Sequence, residues 1–216
     1  QLHQNWVFRK KGDEKWLPAN VPGSVHTDLL SNGKIPDPFF RQQYLESQWV
    51  ENEEWEYSCR FIIDKEFLER DQVELVFEGL DTFANVSLNN IPVLRACNMY
   101  REWYAEVKAH LKEGENTLLV HFLSPVRSGE KHLRMAQFTY PANNEQSETK
   151  VSPFVRRAPY TFGWDWCPRL VGCGIWRPVY LRGWNTATIE HIHITPVNIT
   201  EERALVKAEI ILKGAY

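Results

Sequence analysis

Long apolar runs are missing from the 216 residues. None approaches the roughly 20 residues that span a bilayer as a helix. Basic excess is missing too: 25 Lys and Arg are interleaved with 28 Asp and Glu, for a formal net charge of −3. Such a chain offers no field to a polyanion, which excludes nucleic acid and anionic membrane as partners. Cysteine is scarce. The four, Cys59, Cys97, Cys167 and Cys173, lack the CxxC spacing of a zinc site and leave the redox compartment open. There is no GxGxxG, P-loop, GxSxG or HExxH, so nothing calls for a nucleotide, a cofactor or a metal. His191 and His193 alternate onto one strand face without a third ligand and read as a solvated polar face. The opening QLHQNWVF has neither a charged nor an apolar leader region, so any signal peptide was removed or never present.

What is abundant is period-two alternation, the mark of strands with one buried face. WEYSCRFII puts Trp55, Tyr57, Cys59, Phe61 and Ile63 on one side, and Val73, Leu75 and Phe77 follow suit. So do Ala84, Val86 and Leu88, and then Leu118, Val120 and Phe122. Turn chemistry separates the runs at Glu78-Gly79-Leu80-Asp81, Asn89-Asn90 and Glu113-Gly114-Glu115-Asn116. The fold class is all-β, a sandwich. One short helix fits SVHTDLLSNG, with Ser24 as N-cap and Gly33 just past its end.

Between about residues 124 and 160 the alternation fails in a polar, proline-punctuated excursion, expected as a functional loop or a disordered one. The sandwich resumes with IWRPVYLR, and two more alternating runs, IEHIHIT and ALVKAEIIL, follow Gly183. Residues 1–185 therefore read as one domain and 186–216 as the first strands of a second, truncated sandwich. An isolated hairpin is marginal in water, so this tail leans on the first domain, pairs with another chain or frays.

Nine tryptophans include three within FGWDWCPRLVGCGIW: Trp164, Trp166 and Trp176. Tryptophan faces suit the C–H faces of sugars, and a neighbouring carboxylate such as Asp165 accepts from sugar hydroxyls. Trp176, among alternating neighbours, reads as core. Trp164 and Trp166, bracketed by glycine and proline, read as a shaped loop.

GIWRPVYL resembles the signature of the sugar-binding domain that begins glycoside hydrolase family 2 enzymes, and FGWDWCP resembles the loop of their β-mannosidase branch. VPGSVHTDLL, WVENEEWEYSCRF, FEGLDTFANVSLNN and RRAPY match the same branch, from Trp6 to about Trp184. The resemblance implies a jelly-roll-like, galactose-binding-domain-like sandwich, followed by an immunoglobulin-like sandwich and a (β/α)8 barrel. It implies a retaining, exo-acting hydrolase of terminal β-mannose, extracytoplasmic, with both catalytic glutamates on the barrel. These residues would then be catalytically silent, their partners being terminal β-mannosides, manno-oligosaccharides and the barrel of the parent chain. The alternative is a freestanding carbohydrate-binding module, disfavoured because a module is expected to end at a domain boundary.

By the same resemblance Trp164 and Asp165 bind the terminal mannose, while Trp166 and Arg169 either touch sugar or brace the loop. A neighbouring arginine would satisfy a buried Asp165 and hold it ionised. Asn52-Glu53 and Asn144-Glu145 imitate the family's acid/base dipeptide by coincidence. His26 reads as a hydrogen-bonded structural residue. Cys167 stands where the family commonly has glycine, a change that could shift the loop. Cys167 and Cys173 are either bonded or two free thiols.

Overall fold

The computed structural model describes residues 1–214. In chain order its first half contains β1 (Trp6–Lys10), β2 (Leu17–Pro18), α1 (Val25–Ser31), β3 (Trp55–Ile63), a one-turn helix α2 (Lys65–Leu68), β4 (Gln72–Phe77), β5 (Leu80–Asp81), β6 (Phe83–Leu88) and β7 (Ile91–Cys97). The second half contains β8 (Trp103–Glu106), β9 (Gly114–Phe122), α3 (Pro125–Met135), β10 (Gly174–Ile175), β11 (Val179–Trp184), β12 (Ala187–Ile199) and β13 (Ala204–Gly214). No helix among the described residues is long and apolar enough to cross a membrane.

The architecture is the expected all-β sandwich. One layer is an antiparallel sheet of order β2-β1-β3-β9-β6-β7; the facing layer has the order β11-β4-β8, with the short pair β10-β5 beside it. The alternation delivers the core as read. Phe8, Tyr57, Val86, Leu88, Leu118, Val120 and Phe122 point inward from the larger sheet against Val73, Leu75, Phe77 and Val179. Each such side chain removed from water contributes about 1.5–3 kcal/mol. In β4 the alternation is incomplete, because Glu74 and Val76 are buried as well. Glu74 is held there by Arg182 at 2.7 Å and by Lys213.

Helix α1 begins where the sequence placed it. The Ser24 side chain accepts from the Thr27 N–H while Thr27 returns the bond to the Ser24 N–H, a reciprocal cap. Asp28 anchors the helix to the sheet, accepting from the buried Tyr57 hydroxyl at 2.8 Å and from the Asn20 N–H at 2.8 Å.

Three expectations need correction. Glu78–Asp81 is not wholly a turn: Leu80 and Asp81 form β5 and pair with Ile175 and Gly174. The excursion from about residue 124 is not irregular throughout, because it opens with the 11-residue helix α3. Ser124 caps α3 through the Arg127 N–H, and Pro125 sits in the first turn, where its missing N–H costs nothing. Its apolar stripe is narrow, Val126 and Leu133 against Val151, Val155, Phe162 and Val171, so charged residues mask it in the sequence. Two members of this satellite core, Phe162 and Val171, flank the tryptophan loop in sequence. Trp176, finally, is in no strand: β10 ends at Ile175 and β11 starts at Val179, with the donorless Pro178 between them.

β12 and β13 pair only with each other, and nearly every residue on both their faces is exposed. Lys213 ties the hairpin back to Glu74 and lies over the Trp184 and Tyr104 rings. His191 and His193 stack side by side on it, ring centroids 6.5 Å apart, open to solvent. Ala215 and Tyr216, the end of the second unit as read from sequence, lie outside the described residues.

Candidate functional site

The tryptophan loop is a tight turn on a rigid base. The Trp164 N–H donates to the Cys167 carbonyl at 2.9 Å and the Cys167 N–H returns to Trp164 at 3.4 Å. The chain enters the turn through Gly163 at φ +101°, a conformation that side-chain-bearing residues rarely adopt. Gln146 pins the loop from outside, its amide donating to the Trp164 carbonyl at 3.1 Å. Cys167 does not sit in the left-handed region, so its Cβ is accommodated and the positive-φ position falls four residues earlier. Its thiol is free, as is that of Cys173. Burial pushes both thiols up, Cys173 far more.

Trp164 is half-buried, while Asp165 and Trp166 are exposed, Trp166 at 67%. Together with Phe39, Tyr44, Gln146 and Pro168 they wall a cavity of about 320 Å³. Tyr160 supports Trp166 from behind, with ring centroids 5.4 Å apart.

Arg169 is not the partner of Asp165. Arg169 is 3% exposed, and its guanidinium grips Glu51 through two bonds of 2.8 and 3.1 Å and Glu145 at 3.3 Å. Asp165 is exposed to solvent instead. Glu145, half of an Asn-Glu pair that looks accidental in the sequence, is buried and also accepts from the Val151 and Ser152 N–H groups. Thus one arginine joins the end of the loop, the 3-10 turn Gln43–Asn52 and the excursion. No local pattern announces the partners, because 118 residues separate Glu51 from Arg169.

A second cavity, of about 360 Å³, adjoins the first. Pro38 and Phe39 line both; His26, Asp81, Tyr160 and Trp176 line the second alone. Trp176 therefore belongs to a cavity wall, not to the core, with the Arg177 guanidinium 4.3 Å from its ring centroid. At the base the buried Arg157 pairs with Asp81 at 3.0 Å and donates to the Gly172 carbonyl.

His26 departs from its reading as a hydrogen-bonded residue: no group among the described residues bonds its ring. Burial, and then the Arg157 charge, lower its pKa from 6.5 to about 4. The folded protein therefore resists protonating His26 while the unfolded chain does not, so stability falls as pH drops from about 6.5 toward about 4. Between pH 7 and pH 5 the expected loss is about 2 kcal/mol. Urea unfolding of wild type and His26→Gln at both pH values measures it; an equal pH response in the two proteins would refute the assignment.

Matched against known proteins, residues 6–177 fit the family described as "Glycosyl hydrolase 2 galactose-binding domain-like". The chain belongs to that glycosyl hydrolase 2 family. All four loop residues, both cavities and α1 fall inside the match, whereas β12 and β13 fall outside it. This glycosyl hydrolase 2 domain is 32% identical over 201 residues to a β-mannosidase of Capra hircus, covering 91% of the chain and 23% of that relative. It is 36% identical over 217 residues to β-mannosidase B of Thermothelomyces thermophilus, 97% and 25% of the two chains. A crystal structure of β-D-mannosidase from Dictyoglomus thermophilum superposes with a TM-score of 0.92 at 39% identity, covering 99% of the chain and 26% of that structure. The domain thus spans about a quarter of the length of the curated relatives it matches. An uncultured Clostridium β-glucuronidase, at TM-score 0.59 and 16% identity, shares the fold alone.

Proposed function

We propose that this domain is a non-catalytic part of a retaining exo-β-mannosidase, and that its Trp164-Asp165-Trp166 turn forms one wall of the pocket for the terminal mannose. The observation that carries this is an exposed carboxylate held between two tryptophans on a braced turn, over a cavity of about 320 Å³, in a domain whose relatives are β-mannosidases. Trp164 and Trp166 offer apolar faces, Asp165 accepts from hydroxyls, and Arg169 braces from within. Residues 1–185 make up the sugar-binding sandwich; 186 onward begin a second, immunoglobulin-like one that leads to a catalytic barrel, in an extracytoplasmic enzyme. The barrel supplies the two carboxylic groups that double displacement needs about 5 Å apart.

On this reading the 216 residues alone leave a chromogenic β-mannoside intact, and turnover surviving rigorous purification would defeat it. In the complete enzyme Asp165→Ala removes a charge-assisted hydrogen bond worth about 1.5–3 kcal/mol. kcat/KM for terminal β-mannosides then falls roughly ten- to a hundredfold. Unchanged kinetics would put Asp165 outside the site. Saturable quenching of the isolated chain's tryptophan fluorescence by mannose at modest concentration would instead favour a freestanding binding module.

A further inference from the structure

Asn32-Gly33 is the single Asn-Gly dipeptide of the chain, and it closes helix α1. Gly33 sits at φ +63°, the left-handed position that ends many helices and that glycine takes without strain. Its N–H donates to the Leu30 carbonyl at 2.9 Å and the Lys34 N–H to the Leu29 carbonyl at 2.8 Å, the paired bonds of a Schellman end. Asn32 closes the same end with its side chain. The amide nitrogen donates to the Pro18 carbonyl at 2.9 Å and to the Asp28 carbonyl at 2.8 Å. Pro18 belongs to β2, so this one amide ties the end of the helix to an edge strand.

The same dipeptide carries an intramolecular reaction. The main-chain nitrogen after an asparagine can attack the side-chain Cγ, and a glycine there has no Cβ to block the approach. The bond from Gly33 N to Asn32 Cγ forms, the Cγ–Nδ2 bond breaks, and ammonia leaves with the proton of the Gly33 N–H. Water then opens the five-membered succinimide at one carbonyl or the other, giving aspartate or isoaspartate at residue 32. In the fold both reacting groups are engaged: the nucleophile on Leu30, the leaving amide on Pro18 and Asp28. The end of α1 must open before attack.

We propose that Asn32-Gly33 is a site of covalent ageing that folding holds shut, and that reaction there leaves the end of α1 unable to close. Either product replaces the donating amide with a carboxylate, which sets oxygen against the Pro18 and Asp28 carbonyls and adds negative charge at the negative end of the helix. Isoaspartate also lengthens the main chain by one carbon ahead of Pro38 and Phe39, the ledge shared by both cavities. The residue thus records time spent unfolded.

The test incubates the complete enzyme at mildly alkaline pH, native and in concentrated urea, and weighs the proteolytic peptide that spans residue 32. An isoaspartate-specific methyltransferase counts the rearranged product. In urea, residue 32 should convert before any other asparagine of this domain, and in the native enzyme at least roughly tenfold more slowly. Hydrogen exchange, read peptide by peptide, tests the consequence: Asn32→Asp, which installs one product directly, should exchange the amides of residues 25–34 roughly tenfold faster than wild type. A native conversion rate within about twofold of the rate in urea would show that the fold does not close the site. Exchange in Asn32→Asp within about twofold of wild type would show that the helix end re-forms around a carboxylate. Either result overturns the proposal.

Discussion

Replacing Arg169 with methionine is expected to destabilise the domain by about 3–5 kcal/mol, the usual penalty for stripping the partner from a buried charge. Glu145, with 1% of its side chain exposed, and Glu51, with 13%, would face each other without a cation. The fold must then protonate them or open the satellite core to water. Either route releases the tryptophan loop, because Arg169 also donates to the Phe162 carbonyl just before it. Urea unfolding at neutral pH gives the number. Arg169→Met with Glu145→Gln should recover part of the loss, because one of the stranded charges is gone. A single mutant within 1 kcal/mol of wild type would show that the clamp is not what holds the loop.

Gly174→Val is the second large effect, about 3 kcal/mol, at the upper end of what overpacking costs. A Cβ at residue 174 would meet the Gly23 carbonyl oxygen at 2.4 Å and the Ser24 Cα at 2.8 Å. Both are backbone and neither can swing aside. The collision falls where the Gly23 N–H bonds to the Ile175 carbonyl and the Val25 N–H to Cys173, the seam that fixes the start of α1 on β10. Thermal unfolding with near-ultraviolet circular dichroism tests it; a native midpoint would mean that the seam yields more readily than two backbones in contact allow.

The glycine of GIWRPV thus has a steric cause that no single-sequence pattern states. What the sequence did state clearly were features set by neighbours along the chain. In β3, Trp55, Tyr57 and Cys59 face the core as the period of two requires. Ser24 caps α1 because its side chain reaches only as far as Thr27. The glycine and proline around Trp164 and Trp166 foretold a shaped turn for the same local reason. Features set by distant partners were illegible. Glu51 and Glu145 became a clamp only once folding delivered Arg169 to both. Trp176 passed for core because its neighbours alternate, whereas the chain leaves β10 at Ile175 and enters β11 only at Val179. Helix α3 was hidden by its polarity, since a narrow apolar stripe over a small core leaves most of its surface charged.

The position of β9 in the larger sheet sets an order of assembly. β9 lies between β3 and β6, bonded to both, so β1 and β3 have no link to β6 and β7 through the sheet until residue 122 has been made. The α1 seam waits longer, for Ile175. During synthesis the N-terminal third is therefore a ribbon with an open edge at β3, held from its final partners for more than fifty residues of elongation. That interval is when such an edge pairs with the wrong chain, so a chaperone that covers β3 until residue 122 is made, or faster elongation through that stretch, is expected to raise the folded yield.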